Sequence, residues 1–369
     1  MYKYLKYYLS PALAPFIILG LLLGGSYMWL GFFVLLLLFT IGDAFLSEDT
    51  KKPKYKYPFL VEIPLYLALP ILILILVIFA WTTGSNDFDL FNIGLLLSYF
   101  FEYDFIGARN YNNFIHYLGG LLSVAFTIAG IGTNTGHELT HRTNKKIDVL
   151  FGRWMFSMSC NADFSIEHVY GHHVNVCTDK DPASARKGEN VYNFFLRSTL
   201  HGHLSAWEIE SRRLKVKKQN ILSFNNQMLT GYLMSMVWFC LFYYGGGLTG
   251  LLLFILQALI AKFILEVVNY FEHYGLRRTP GHRVQPYHSW NTNKRLSSMF
   301  LFSLTRHSAH HEKPREKFWN LSPYQDAPQL PYGYFTSLLV CLIPSIWKKS
   351  IHPLLDEWDS KYSKSPSSE

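Results

Sequence analysis

Seven long apolar blocks, at about 11–25, 27–46, 59–81, 90–106, 114–135, 227–246 and 248–268, dictate what this chain can fold into. Each approaches the roughly 17–25 residues with which a helix crosses about 30 Å of hydrocarbon, the first being short. Half of the 369 residues are apolar and 17% are Phe, Tyr or Trp, more hydrophobic surface than a soluble core of that length can hide. The blocks are uninterrupted and not amphipathic stripes, so a single membrane-embedded unit over 1–369 is expected in place of two or three soluble domains. Neither strand-like alternation nor an internal repeat is evident, which makes the expected fold all-α.

Charge then sets a topology. Loops rich in Lys and Arg stay cytoplasmic, which puts the N-terminus (Lys3, Lys6), the 47–58 loop (Lys51, Lys52, Lys54, Lys56) and the stretch after 141 (Arg142, Lys145, Lys146) on one face. The loop at 82–89 has no basic residue and belongs outside. Parity allows only one of 90–106 and 114–135 to span. Glu102, Asp104 and Arg109 mark 90–106 as the one that lies in the interface or re-enters, because charge at membrane depth is costly. Six spans remain, at about 11–25, 27–46, 59–81, 114–135, 227–246 and 248–268, paired as hairpins with both termini inside. Residues 136–226 and 269–354 form a cytoplasmic cap over the inner mouth of the bundle, and a disordered tail is expected over 355–369. The first segment lacks a small-residue cleavage site and reads as a retained helix.

The histidines carry the chemistry. His137 and His141 in HELTH, His168 and His172 in EHVYGHH, and His307 and His311 in RHSAHH are each four apart, with His173 and His310 as flanks. Helical spacing places such pairs on one face. His273 sits where the last apolar segment runs out. An isolated histidine is an ordinary hydrogen-bonded side chain. Several clusters placed at one membrane face by an independent charge argument point to metal ligation. His116, His201, His203, His282, His288 and His352 fit no such pattern, His288 being the first choice among them for supporting a ligand and His201/His203 the next.

HELTH alone matches the zinc-protease helix. Yet a catalytic zinc takes three protein ligands, and nine clustered imidazoles exceed the needs of any one ion. They propose two metals without naming them, since imidazole suits iron, copper, nickel and zinc alike. Neutral ligands around divalent ions call for nearby carboxylates, either bridging or holding the ligands' free N–H groups. Glu138, Glu167 and Glu272 each adjoin a ligand in sequence, and Asp163, Asp179 and Asp181 share the same stretch. Cys160, Cys177, Cys240 and Cys341 make no CxxC pair, so any iron–sulfur electron carrier is a separate protein.

At these residues the chain resembles the membrane-bound alkane hydroxylases, in the histidine-box desaturase and hydroxylase superfamily. HELTH, EHVYGHH, NYFEHYGL and RHSAHH correspond to the family's boxes over Gly136–His311, with Arg142 where Lys is usual and Ala309 where an acid is common. The resemblance implies a non-haem di-iron centre, O2 as co-substrate, and electrons from rubredoxin and its NAD(P)H-dependent reductase. It also implies His137, His141, His168, His172, His173, His273, His307, His310 and His311 as the iron ligands.

The expected activity is terminal hydroxylation of medium- or long-chain n-alkanes drawn from the bilayer, in a bacterial inner membrane. A fatty acid desaturase or a xylene-type methyl hydroxylase is the alternative within the superfamily. A metal transporter would place its ligands near the midplane of the spans. The net charge of +8, with RRLKVKK at 212–218, suits an acidic electron donor or anionic lipid equally. No nucleic-acid partner is expected.

Overall fold

The computed structural model describes residues 2–85 and 87–362. Five helices are long and apolar enough to cross a membrane: α1 (Lys3–Leu23), α2 (Gly25–Phe45), α3 (Phe59–Thr82), α6 (Phe114–Thr140) and α10 (Gln227–His273). The 47-residue α10 is not straight, because Gly246 (φ −143°) and Gly247 (φ 57°, ψ −140°) leave helical geometry. Phe254 lies against Phe239 and Phe242 with ring centroids 4.9 and 5.1 Å apart. Phe239 and Phe254 would be about 22 Å apart on an unbroken helix, so the arms 227–245 and 248–273 fold back on each other. They occupy the segments expected at 227–246 and 248–268.

A Cβ on Gly247 would touch nothing, so substitution there isolates backbone strain from packing. Gly247→Ala is expected to destabilise the protein by about 1–3 kcal/mol, read as a lower unfolding midpoint in detergent.

The bundle has two distinguishable ends. At one, Gly25 donates to the Asn112 side chain (2.7 Å), Tyr117 to the Thr82 carbonyl (2.9 Å), and Arg109 to the carbonyls of Phe88 and Ser85 (2.8 and 2.9 Å). Here the 90–106 segment is split into α4 (Ile93–Phe101) and α5 (Phe105–Asn110), with Glu102 at φ 52° between them. Nine residues of α4 reach only about 14 Å, too short to span. At the opposite end Tyr7 meets Ser303 (2.9 Å), Asp43 accepts from the Leu296 amide (2.9 Å) and Arg142 pairs with Glu62 (2.9 Å). All the clustered histidines belong to this end.

A helical cap covers it, built from α7 (Lys146–Ser157), α8 (164–175), α9 (Val191–Val216), α11 (Arg295–Phe300), α12 (His307–Glu312), α13 (Tyr334–Cys341) and α14 (Pro344–Tyr362). Among the described residues no strand forms, only an isolated bridge between Asn291 and Gln329. Close helix contact fixes the first histidine helix: a Cβ on Gly152 would lie 2.7 Å from the Gly136 carbonyl, so two glycines let α7 press on the end of α6. The tail expected from 355 is corrected in part. α14 runs to Tyr362 because Trp347, Ile351 and Leu355 are fully buried on one face, Leu355 against Gly275. Residues 363–369 lie outside the described residues.

Candidate metal centre

The nine clustered histidines come together as two sets: His137, His141, His168, His173 and His310 in one, His172, His273, His307 and His311 in the other, with all potential ligand atoms of a set within 4.8 Å of one another. Local backbone decides who joins which. His137 and His141 lie a helical turn apart and share the first set, as α-spacing predicts, and His307 and His311 likewise share the second. The EHVYGHH segment departs from this. His168–His172 is a π-turn, wider than an α-turn, so His168 faces His173 (Nε2 to Nε2, 3.0 Å) and His172 swings to the other set. The expected His168/His172 pairing is therefore corrected to His168/His173. A second π-turn, Ile128–Thr133, precedes HELTH in α6.

Distances within the sets are those of ligands around an ion. In the first set Nε2 atoms of His141 and His168, His168 and His173, and His173 and His310 stand 3.1, 3.0 and 3.1 Å apart. In the second, His273 and His307, His307 and His311, and His172 and His311 stand 3.1, 3.0 and 3.3 Å apart. Nitrogens about 2.1 Å from one divalent metal and about 90–110° apart lie about 3.0–3.4 Å from each other. These contacts cannot all be hydrogen bonds, because one imidazole nitrogen either donates or accepts. His137 Nε2 is buried with no hydrogen-bond partner at all. A cation at each centre satisfies every one of these nitrogens. Burial first, then neighbouring imidazoles, push His168, His173, His307, His310 and His311 well below the usual histidine range and His141 down to about 3. Uncharged rings with free lone pairs are what a metal requires.

The carboxylates divide sharply. Glu272 has Oε2 3.3 Å from His307 Nε2 and accepts from the Tyr334 hydroxyl at 2.7 Å, so it faces the second set directly. Glu138 touches no imidazole. Arg142 holds it at 3.0 Å, and the same guanidinium meets Glu62 and Asp148 at 2.9 and 3.4 Å, which corrects the expectation of a carboxylate serving a ligand. Glu167 is buried with Oε1 unpartnered and turns toward a polar cleft beside the sets. Its carboxyl is pushed well above the usual range by burial and by Asp181 and Glu266.

Asp181, one acid of several on its stretch in the sequence, is the carboxylate that accepts from His172 Nδ1 (2.9 Å), fixing the tautomer that frees Nε2. Burial alone would raise its carboxyl, but His172 and Ser184 outweigh this and hold it low. Asp181→Ala is expected to weaken metal at the four-histidine set about 10–100-fold, measured by competition with a chelator. For His288 the main chain, not the ring, matters: its carbonyl is 3.3 Å from His273 Nδ1 and accepts from the Cys177 thiol at 3.0 Å. Neither Cys177 nor Tyr334 carries a sequence signal, since each acts across more than 60 residues of chain. Among the remaining histidines, His116 caps α6, His352 meets Tyr274, His203 meets Asp163, and His201 is exposed.

Two hollows reach the sets. An apolar cavity of about 100 Å3 is lined by Leu35, Phe39, Phe126, Ala129, Phe300 and Leu338 together with His137, His168, His307 and Glu272. From the opposite side a cleft open to solvent, lined by Lys145, Arg315, Lys317 and Trp319, reaches His141.

The fatty acid desaturase family model matches residues 112–337, which contain both sets. An alkane 1-monooxygenase 2 of Pseudomonas aeruginosa is 35% identical over 265 residues, 70% of this chain and 68% of that protein. An alkane 1-monooxygenase 2 of Alcanivorax borkumensis is 36% identical over 65% of this chain and 64% of its own length. The hydroxylase component XylM of a xylene/toluene monooxygenase of Pseudomonas putida is 29% identical over 97% of this chain and 90% of that protein. On these matches, and with its histidines gathered as they are, the chain belongs to the fatty acid desaturase family and, within it, to the alkane hydroxylases.

Proposed function

We propose that this protein is an O2-dependent monooxygenase that hydroxylates the terminal carbon of n-alkanes at two irons, one per histidine set. One observation carries the reading: a single apolar cavity is lined by imidazoles of both sets, His137 and His168 from one and His307 from the other. The bilayer supplies the substrate, which enters end-on without crossing water, so that shape selects the terminal methyl. Bound iron supplies the activation of O2 and the transfer of an oxygen atom to a C–H bond. The chain supplies position and dryness. Phe39, Phe126, Phe300 and Leu338 hold the hydrocarbon, and Glu272 offsets positive charge beside His307.

Iron is preferred to zinc because the relatives' names describe oxygenases, and zinc has no redox chemistry. The Lys-rich 47–58 loop and Arg142–Lys146 lie at the histidine end, which supports a cytoplasmic site in a bacterial inner membrane. Electrons are proposed to come from rubredoxin and its NAD(P)H-dependent reductase. The cleft at His141, where Arg142, Lys145, Arg315 and Lys317 outnumber Glu62, Glu138 and Glu316, carries a small basic excess that suits an acidic carrier.

The long alignment with XylM supports a methyl-arene substrate as the second reading. Membranes containing the protein, supplied with rubredoxin, its reductase, NADH and either octane or m-xylene, decide between them. 1-Octanol is expected. A benzylic alcohol alone would favour the second reading, and a new double bond in an acyl chain would make the protein a desaturase. Metal analysis is expected to find about two irons per chain, and zinc in their place would refute the oxygenase chemistry altogether.

A further inference from the structure

Hydroxylation needs protons as well as electrons. Each turnover breaks a C–H bond and the O–O bond, forms the C–OH group, and reduces the second oxygen to water with two electrons from the carrier and two protons from solvent: RH + O2 + 2 e− + 2 H+ → ROH + H2O. The substrate cavity is poorly suited to bring those protons, because most of its lining is Leu, Ile, Val, Phe and Ala.

A second hollow can. On the cap side of α10 lies a small polar cleft with room for about one water, lined by Asp163, Glu167, His203, Lys262, Glu266 and Asn269 among others. Water occupies polar spaces of this kind when several hydrogen-bonding groups converge on them. The cleft reaches solvent at its Gly202–His203 wall: a Cβ on Gly202 would meet nothing within 4 Å, and the His203 side chain is 39% exposed. His203 Nδ1 is 2.9 Å from Asp163, and its Nε2 is 2.9 Å from the Tyr232 hydroxyl. Deeper in, Glu266 accepts from Lys262 (2.6 Å), from the Ser198 hydroxyl, and from the Asn269 amide (3.4 Å).

Two residues line both the polar cleft and the substrate cavity, Phe164 and Asn269, and Asn269 is the polar one. It is also the middle of a buried polar stripe on one face of α10, Glu266, Asn269 and Glu272, spaced three apart, whose last member lies beside His307. A stripe of three polar side chains, each less than 5% exposed, is costly in an apolar helix unless it does something.

We propose that this cleft is a proton route through its polar side chains and a bound water, entered at the His203–Asp163 pair, led inward by Glu266 and delivered to the metal pocket at Asn269. The proposal rests on the hydroxylase reading above. His203 and Asp163 exchange protons with solvent, Lys262 and Glu266 hold the bound water, and the Asn269 amide passes the last hydrogen bond through the wall. Asn269 and His203 are positioning residues, acting through water.

Three measurements on the full-length, iron-loaded protein test it. A high-resolution structure is expected to show ordered water in the cleft within hydrogen-bond distance of Glu266 and Asn269; a dry cleft overturns the route. Asn269→Leu, nearly isosteric, is expected to keep its iron while turnover falls roughly 100-fold, the solvent deuterium isotope effect rises, and more of the consumed O2 appears as peroxide. His203→Ala, at the cleft's rim, is expected to slow turnover and to recover with added imidazole, whereas Asn269→Leu does not recover. A merely structural role would show neither the isotope effect nor the rescue. If the wild-type protein makes alcohol and both variants match it in rate and isotope effect, the route falls and the hydroxylase reading stands. If the wild-type protein makes no alcohol, both fall.

Discussion

His311→Ala is expected to strip one metal ion from the protein, while His310→Ala, its immediate neighbour, leaves both in place. The two side chains belong to different sets: His311 completes a group of four imidazoles and His310 a group of five. Loss of His311 leaves three imidazoles in its set, His172, His273 and His307, whereas loss of His310 leaves four ligands around the other ion. After dialysis against a moderate chelator, iron is expected to fall from about two to about one per chain in the first variant and to stay near two in the second. The same contrast is expected between His172→Ala and His173→Ala, again adjacent residues in opposite sets. Hydroxylation falls below detection in the His311 and His172 variants, because the cavity ends on both sets and a single remaining ion leaves the site incomplete. Equal metal loss from all four variants would mean that the nine imidazoles act as one site, and the division into two sets would be wrong.

The division itself was out of reach of the sequence, although its members were not. Spacing of three and four along helices and the clustering of basic loops suffice to gather nine imidazoles at one end of a bundle, since both follow from local geometry and charge. Which imidazole joins which set depends on a π-turn at His168–His172, and nothing in EHVYGHH announces the extra residue in that turn. Helical periodicity of 3.6 therefore pairs His168 with His172, and the wider turn pairs it with His173. Adjacency in sequence is an unreliable guide to the carboxylates: a residue next to a ligand on a helix points some 100° away from that ligand, and while Glu272 meets a different one, His307, Glu138 ends in the Arg142 network. Asp181 reaches His172 across nine residues of irregular chain, a contact that only the packed cap creates. Three consecutive glycines, Gly245–Gly247, mark a turn in the sequence because glycine permits the φ of 57° found at Gly247. By contrast, the charged 355–362 stretch concealed its helix, since a buried face of Trp347, Ile351 and Leu355 is sparse in so polar a sequence.

A plug halfway along the cavity should convert chain length into a measurable ratio. Ala129 lines the cavity on the π-turn of α6, eight residues before His137 and thus about 12 Å along the helix from the metal pocket. Ala129→Phe puts a ring into the path of a long alkane while leaving the space next to the imidazoles open. Its neighbour Gly130 is unsuitable for this purpose, because a Cβ there would already stand 2.7 Å from Phe300 and would shift the wall itself. Each methylene accepted or refused by an apolar pocket changes kcat/KM by about 10–200-fold, so the octane-to-hexadecane ratio of kcat/KM is expected to rise by at least about 10-fold in Ala129→Phe. Opening the wall by Leu338→Ala should move the same ratio in the opposite direction, and iron content should stay unchanged in both, since neither residue belongs to a histidine set. A uniform loss on every alkane would say only that packing suffered. An unchanged ratio with full iron loading would mean that alkyl chains reach the irons by another path, and the cavity would lose its place as the substrate channel.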